Sequence, residues 1–219
     1  MIYIRRSKRL KSQIVKEVQD LNKRGNLIIL SGPSGVGKST VVAKTMESRD
    51  DLCFSVSVTT RKPRPGEIDG KDYFFINKES FSEMVQNNEL LEYATYIDNS
   101  YGTPLKYVDE QLDKGLNVIL DIEIQGARQV HAKKPDAITI FILPPSMEIL
   151  EKRLSARGTE TKESLSARIA RARQEIEEAD FYQYMIINDE AEKAAAELSS
   201  IISASHCIFD RNSVLDLIK

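Results

Sequence analysis

Short apolar runs that end in glycine, proline or an acid punctuate this chain. Asn26–Ser31 (NLIILS) is β-prone and followed at once by glycines, which predicts a buried strand feeding a loop. Residues 38–49 then place Val41, Val42 and Met46 at helical spacing. Phe54–Val58 alternates as a strand does, Lys62–Gly70 with its two prolines and two glycines reads as a loop, and Tyr73–Ile76 resumes an extended pattern. Phe81, Met84 and Val85 predict a short helix stopped by Asn87-Asn88, before a strand over Leu90–Ile97 and a helix over Pro104–Lys114. Asn117–Ile122 (NVILDI) and Ala137–Leu143 (AITIFIL) are two further apolar strands. Met147, Leu150 and Leu154 mark a helix, and the charged segment Arg157–Glu163 separates it from a long polar helix at 164–179. Tyr184–Ile187 is a last short strand, and Ala191–Ile202 a helix with Leu198, Ile201 and Ile202 inward.

Strands alternating with helices predict an α/β fold, a mostly parallel sheet covered on both faces. The segment 57–104 breaks the rhythm with dense turns and aromatics between short strands, and reads as a small inserted subdomain. At 219 residues the chain has room for one compact α/β unit with insertions, or two small domains.

Charge and composition narrow the classes. Lysine plus arginine (31) nearly balances aspartate plus glutamate (33), which argues against a nucleic-acid partner. Cys53, Cys207, His131 and His206 are the only cysteines and histidines, so a structural zinc site is not expected, and two free thiols fit a reducing cytoplasmic setting. No apolar run approaches the roughly 18 residues of a membrane span, and no membrane partner is expected. Residues 1–24 begin Met-Ile-Tyr-Ile and turn basic at Arg5, Arg6, Lys8, Arg9 and Lys11, which is the wrong order for a secretory signal. Glu17 and Asp20 speak against a transit peptide, and the thin apolar face of Leu10, Ile14, Val18 and Leu21 against a membrane-surface helix. An extra helical arm ahead of the domain is the expectation.

Gly32-Pro33-Ser34-Gly35-Val36-Gly37-Lys38-Ser39 matches G-x-x-x-x-G-K-[ST] at every fixed position, between a predicted strand and a predicted helix. Glycines there let successive backbone N–H groups turn toward phosphate oxygens, and the helix that follows adds its unpaired amides and positive dipole end. Lys38 would supply a mobile charge for the β- and γ-phosphates, and the Ser39 hydroxyl would ligate Mg²⁺. A nucleoside triphosphate is therefore the expected ligand. No N-K-x-D motif of the GTPases is present, and motors and transporters need more chain, so a small kinase leads.

A second constellation follows: Ser55-Val-Ser57-Val-Thr-Thr60-Arg61-Lys-Pro-Arg64-Pro-Gly66-Glu-Ile-Asp-Gly70-Lys-Asp-Tyr73. Two arginines three apart on a proline-stiffened loop, with a tyrosine beyond, suit capture of a second phosphate. This run resembles the signature of guanylate kinases, as does the phosphate loop in the form G-P-S-G-V-G-K-S-T. The register continues through Glu92-Tyr93-Ala94, Tyr101-Gly102-Thr103-Pro104, Leu120–Gly126, Pro144-Pro145-Ser146, Arg153–Gly158 and Ile187-Asn188-Asp189, so the resemblance covers roughly residues 26–204.

The resemblance implies an ATP-dependent, Mg²⁺-assisted kinase of GMP, and of dGMP, serving purine nucleotide metabolism. It implies that Arg61, Arg64 and Tyr73 hold the GMP phosphate with help from Tyr101, while Glu92, Ser57 and Thr103 read the guanine. Gly32 through Thr40 would hold ATP, and Asn188 and Asp189 would edge the adenine. Asp121, ending a central strand, would stand near GMP and, through water, the metal. Lys38, Arg61, Arg153, Arg157 and Arg168 would be the catalytic cations, the last three on a lid. Its parts would be a core at 25–56, 105–144 and 181–204, a GMP-binding insertion at 57–104, a lid at 145–180, and a tail at 205–219. The family usually carries Asp-x-Asp after the central strand, whereas here the second acid is Glu123. Two other functions stay open: a kinase of another small phosphorylated acceptor, and a non-catalytic guanylate-kinase-like binding module, the latter disfavoured by the intact Gly37-Lys38-Ser39.

Overall fold

The computed structural model describes residues 24–156 and 162–207; the expected arm through residue 23, Arg157 and the tail from residue 208 lie outside them. Five parallel strands form the central sheet in the order β2-β7-β1-β8-β9. They are β1 (Leu27–Ser31), β2 (Leu52–Phe54), β7 (Asn117–Asp121), β8 (Ile138–Leu143) and β9 (Tyr184–Ile187). Alternate residues of each strand face opposite sides. Ile28, Leu30, Ile119, Ile140 and Ile142 pack on one side with Val41 and Val42 of α1 (Lys38–Glu47) and Leu198 and Ile202 of α7 (Ala191–Ser205). Leu27, Ile29, Val118 and Leu120 pack on the other with Val108 and Leu112 of α3 (Leu105–Asp113) and Ala127 and Val130 of α4 (Ile124–Lys133). A sheet buried on both faces explains why these strands read as continuous apolar runs. The expected α/β architecture is the one observed.

A second sheet of four strands, β4-β3-β6-β5, lies within the segment expected to be an insertion. It contains β3 (Val58–Thr59), β4 (Phe74–Phe75), β5 (Leu90–Tyr96) and β6 (Asn99–Pro104), with α2 (Lys78–Gln86) packed on it through Phe81. Asn77 caps α2 by accepting the Ser80 N–H at 2.7 Å, and Asn88 follows its end at φ 57°. Helices α5 (Met147–Ser155) and α6 (Lys162–Glu177) pack together through Leu150, Leu154 and Ala172.

Three expectations change. The single strand over Phe54–Val58 is two strands in different sheets. Ser55 N–H still donates to Ile119 of the central sheet at 3.1 Å, while the Ser57 carbonyl already accepts from Phe74 of the second at 2.9 Å. Val56 and Val58 are both buried, so the alternation persists across the switch and hides it. Strand β6 was not foreseen, because Asn-Ser-Tyr-Gly-Thr-Pro carries no apolar alternation and is held by its neighbours β3 and β5. Nor is α4 predicted: two of the four residues on its buried face, Ile124, Gly126, Ala127 and Val130, are too small to mark an apolar position.

Candidate active site

At the C-terminal end of β1 the chain wraps through residues 32–37 before α1 begins. Gly35 and Gly37 have φ of 86° and 91°, values that favour glycine. Space forbids a side chain as well: a Cβ would lie 2.5 Å from Leu154 Cδ2 at Gly35 and 2.6 Å from Asn188 Nδ2 at Gly37. Gly37 is the residue that caps α1, and no side chain among the described residues caps that helix. The Thr40 N–H turns back to the Gly37 carbonyl at 3.1 Å, which leaves the amides of Lys38 and Ser39 and the positive dipole end to an external anion. Lys38 Nζ sits 2.9 Å from Asp121 Oδ1 and donates to the Gly32 carbonyl at 3.4 Å. Pro33 and Val36 are buried beneath the loop, while Ser34, Ser39 and Thr40 are exposed on it.

The end of β9 clasps the same loop from behind. Asn188, nearly fully buried, donates from Nδ2 to the Val36 carbonyl at 2.7 Å, and its Oδ1 has no partner among the described residues. Arg153 spans three carbonyls, Val36 at 3.3 Å, Asn188 at 2.9 Å and Asp189 at 3.2 Å. In this conformation it holds loop backbone, where the resemblance placed it among the lid cations. Arg168 of α6 reaches the loop directly, its Nη2 donating to Ser34 Oγ at 2.6 Å.

Across the cleft, Glu92 on β5 is 8% exposed and its Oε1 accepts the Thr103 hydroxyl of β6 at 2.7 Å. Burial pushes its carboxyl up from the ordinary value; the Thr103 hydrogen bond and the charge of Lys133 oppose the rise. Ser57, Tyr73, Thr103 and Asp121 line one cavity of about 360 Å³. Tyr73 and Tyr101 meet edge-on at 6.1 Å, and the Arg61 guanidinium lies 5.3 Å over the Tyr73 ring. Arg61 is paired through both Nη atoms with Glu67, and Arg64 is exposed with its backbone N–H on the same carboxylate.

A second cavity, of about 340 Å³, is lined by Gly32, Ser34, Lys38, Glu123 and Arg168. The two cavities meet at the C-terminal ends of β1 and β7, the crevice where open parallel sheets bind ligands. Glu123 accepts from Arg171 at 2.8 Å, so the longer acid at the family's second aspartate position reaches across to α6.

The chain therefore holds an anion cradle on one side and a buried carboxylate beside an arginine–tyrosine cluster on the other. Such a pair of sites can align two phosphorylated ligands end to end. Reading from sequence assigned no role to Glu67, Gly126 or Arg171. Glu67 follows the positive-φ Gly66 that turns it back on Arg61, and a glycine inside an amphipathic helix was the available signal for Gly126. Arg171 had none, being one of many charges on a polar helix.

The family model described as "Guanylate kinase" matches residues 24–205. A guanylate kinase of Lactococcus lactis subsp. lactis is 50% identical over 191 residues, 87% of this chain and 93% of that one. One of Streptococcus thermophilus is 51% identical over 192 residues, 87% of this chain and 92% of that one. The crystal structure of guanylate kinase from Anaplasma phagocytophilum superposes with a TM-score of 0.64 at 36% identity, covering 85% of this chain and 88% of that one. With a family-model match over residues 24–205 and relatives about half identical over most of its length, the chain belongs to the guanylate kinase family.

Proposed function

We propose that this protein transfers the γ-phosphate of ATP to GMP, and to dGMP, giving ADP and the nucleoside diphosphate. The observation that carries the choice of acceptor is the buried Glu92 carboxylate, fixed in the second sheet by Thr103, which itself lines the cavity of Ser57, Tyr73 and Asp121. Guanine offers N1–H and N2–H₂ as adjacent donors, which one carboxylate accepts together. Adenine offers a lone pair at N1 and nothing at C2, and a site built on such hydrogen bonds rejects it by about 10⁴–10⁵.

In this reading Gly32–Thr40 bind the triphosphate, Asn188 and Asp189 edge the adenine, and Ser57 and Thr103 flank the guanine. Arg61, Arg64, Tyr73 and Tyr101 hold the acceptor phosphate. Phosphoryl transfer needs no protein nucleophile; alignment and neutralisation of charge supply the rate. Lys38 follows the charge that builds between the β- and γ-phosphates, and Arg168 approaches from α6, joined by Arg153 and Arg157 on closure. The donor set suits Mg²⁺: the Ser39 hydroxyl and, through water, the Asp121 carboxylate are hard oxygen ligands. When bound, the ion neutralises phosphate charge and holds the phosphates in line.

The insertion (57–104) and lid (145–180) would close over core segments 25–56, 105–144 and 181–204, excluding water from the reaction. A cytoplasmic setting fits the two free cysteines, Cys53 half-buried and Cys207 exposed. No helix among the described residues is long and apolar enough to cross a membrane. A coupled assay offering GMP, dGMP, AMP, UMP and CMP with ATP tests the assignment: GMP is expected to lead by orders of magnitude, and an AMP or UMP preference would overturn it.

A further inference from the structure

Glu67 fixes Arg61 in a way that leaves one edge of its guanidinium open. Its Oε2 accepts from Arg61 Nη1 at 2.9 Å and its Oε1 from Nη2 at 2.8 Å, while the second hydrogen of Nη1 goes to the Lys62 carbonyl at 2.8 Å. A guanidinium carries five N–H donors in one plane. The three in use lie on the far edge and on the outer side of Nη1. The two that Glu67 and Lys62 do not use, Nε–H and the other hydrogen of Nη2, point the same way at the spacing that a phosphate accepts as a fork, and Arg61 also meets the side chain of Tyr101, itself read as a contact of the same phosphate. The plane itself is held by the rings of Tyr73 and Phe75, 5.3 Å and 5.7 Å from the guanidinium carbon.

The same carboxylate also fixes the second arginine's backbone. Glu67 Oε2 accepts the Arg64 N–H at 2.7 Å, and the Glu67 N–H returns to the Arg64 carbonyl at 3.1 Å. Gly66, at φ 90°, makes that tight return turn. Both partners respond electrostatically: Arg61 holds the Glu67 carboxyl below its ordinary range, and Glu67 keeps the Arg61 charge in place.

We infer that Glu67 is a positioning residue for the acceptor phosphate: it clamps Arg61 end-on so that its side fork is presented ready-made, and it fixes where Arg64 starts. This rests on the reading of Arg61 as a phosphate contact. Two effects of a nearby carboxylate oppose each other here. Its charge weakens the pull of the loop on an anion, whereas its clamp removes the cost of ordering a long side chain. Because Glu67 occupies the end edge and leaves the side edge to Tyr101 and the incoming phosphate, the clamp dominates.

The sign decides the matter. Glu67→Gln keeps the shape but turns one acceptor into a donor, so the clamp fails while the repelling charge goes. The KM for GMP at saturating ATP should rise about tenfold to a hundredfold, the scale of a lost hydrogen bond to a charged group. The KM for ATP should stay within about twofold, since the donor site is built from other segments, and the turnover number should fall by a smaller factor than the KM for GMP rises. Arg61→Lys alone should also raise the KM for GMP, and the double variant should fall well short of the product of the two single effects, because Glu67 acts largely through Arg61. Glu67→Asp, one methylene short of both Nη atoms, should fall between parent and Glu67→Gln. An unchanged or lower KM for GMP in Glu67→Gln, with Arg61→Lys impaired, overturns the positioning role and leaves the phosphate reading standing. An unimpaired Arg61→Lys overturns the phosphate reading, and the inference with it.

Discussion

The Lys38 ammonium lies 2.9 Å from the Asp121 carboxylate, so an ion pair ties the phosphate loop to the end of β7 where the two cavities meet. In the proposed reaction the lysine would turn to the triphosphate, which would free the carboxylate for the water around a bound Mg²⁺. Lys38→Met is expected to leave the thermal midpoint within a few degrees and to lower the turnover number by roughly a hundredfold or more, the scale of a lost preorganised charge. Steady-state kinetics beside thermal unfolding checks this, and turnover within tenfold of the parent would sink the assignment.

Glu92 reads the base in the proposed function, and Glu92→Gln replaces one acceptor oxygen with a donor. A guanine donor would then meet another donor, leaving a buried group unpaired at about 1–3 kcal/mol. The kcat/KM for GMP should drop roughly tenfold to a few hundredfold on the scale of about 1.4 kcal/mol per decade, with the KM for ATP little changed. The ratio of kcat/KM for GMP over AMP should narrow. A ratio at the parent value means Glu92 does not read the base.

The same residue makes a prediction about pH. Burial raises the Glu92 carboxyl above the 4.5 of an ordinary glutamate. A group whose folded value is raised contributes stability that is fully present below its unfolded value and lost as pH rises through the folded one. Ionised Glu92 therefore costs stability at neutral pH. Urea unfolding should find Glu92→Gln more stable than the parent at pH 7, with the difference shrinking toward pH 4. Acidification should also raise the parent's KM for GMP, starting above pH 4.5, as the base-reading oxygen protonates. A stability difference that grows on acidification contradicts the buried-carboxylate account.

Gly126 in the first turn of α4 backs the same carboxylate. A Cβ there would lie 3.0 Å from Glu92 Oε2, closer than ordinary contact, so the carboxylate would have to shift. Gly126→Ala should gain up to about 0.5–1 kcal/mol from helix propensity. It should still lose kcat/KM for GMP, by about threefold to tenfold if a displaced oxygen weakens one hydrogen bond. A variant at once no less stable and less active on GMP meets the expectation; parent-like GMP kinetics would show that Glu92 yields freely.

Much of the core was legible because each signal is local. Asn26–Ser31 and Ala137–Leu143 read as strands since a parallel sheet buried on both faces demands unbroken apolar runs. The phosphate loop was legible because its glycines, lysine and serine each meet a need set within eight residues. The site proposed to read the base was not legible in this way. Glu92 and Thr103 are eleven positions apart and meet only because β5 and β6 pair antiparallel, and Gly126 joins them from a helix on another segment. Without the resemblance to guanylate kinases, Glu92 was one acid among many.

The sequence by itself determined the α/β alternation, the phosphate loop between β1 and α1, and the arginine–tyrosine composition of the acceptor loop. Local periodicity and backbone freedom are written residue by residue, and no distant partner is needed to read them. Only the tertiary structure decided that the chain changes sheets between Ser55 and Ser57, that Arg153 grips the backbone of Val36 and Asn188, and that Arg61 is clamped by Glu67. Those relationships depend on which surfaces are buried together and which donors are left over afterwards. Burial is a property of the packed whole, and a single strand or loop carries too little of it to reveal its partners.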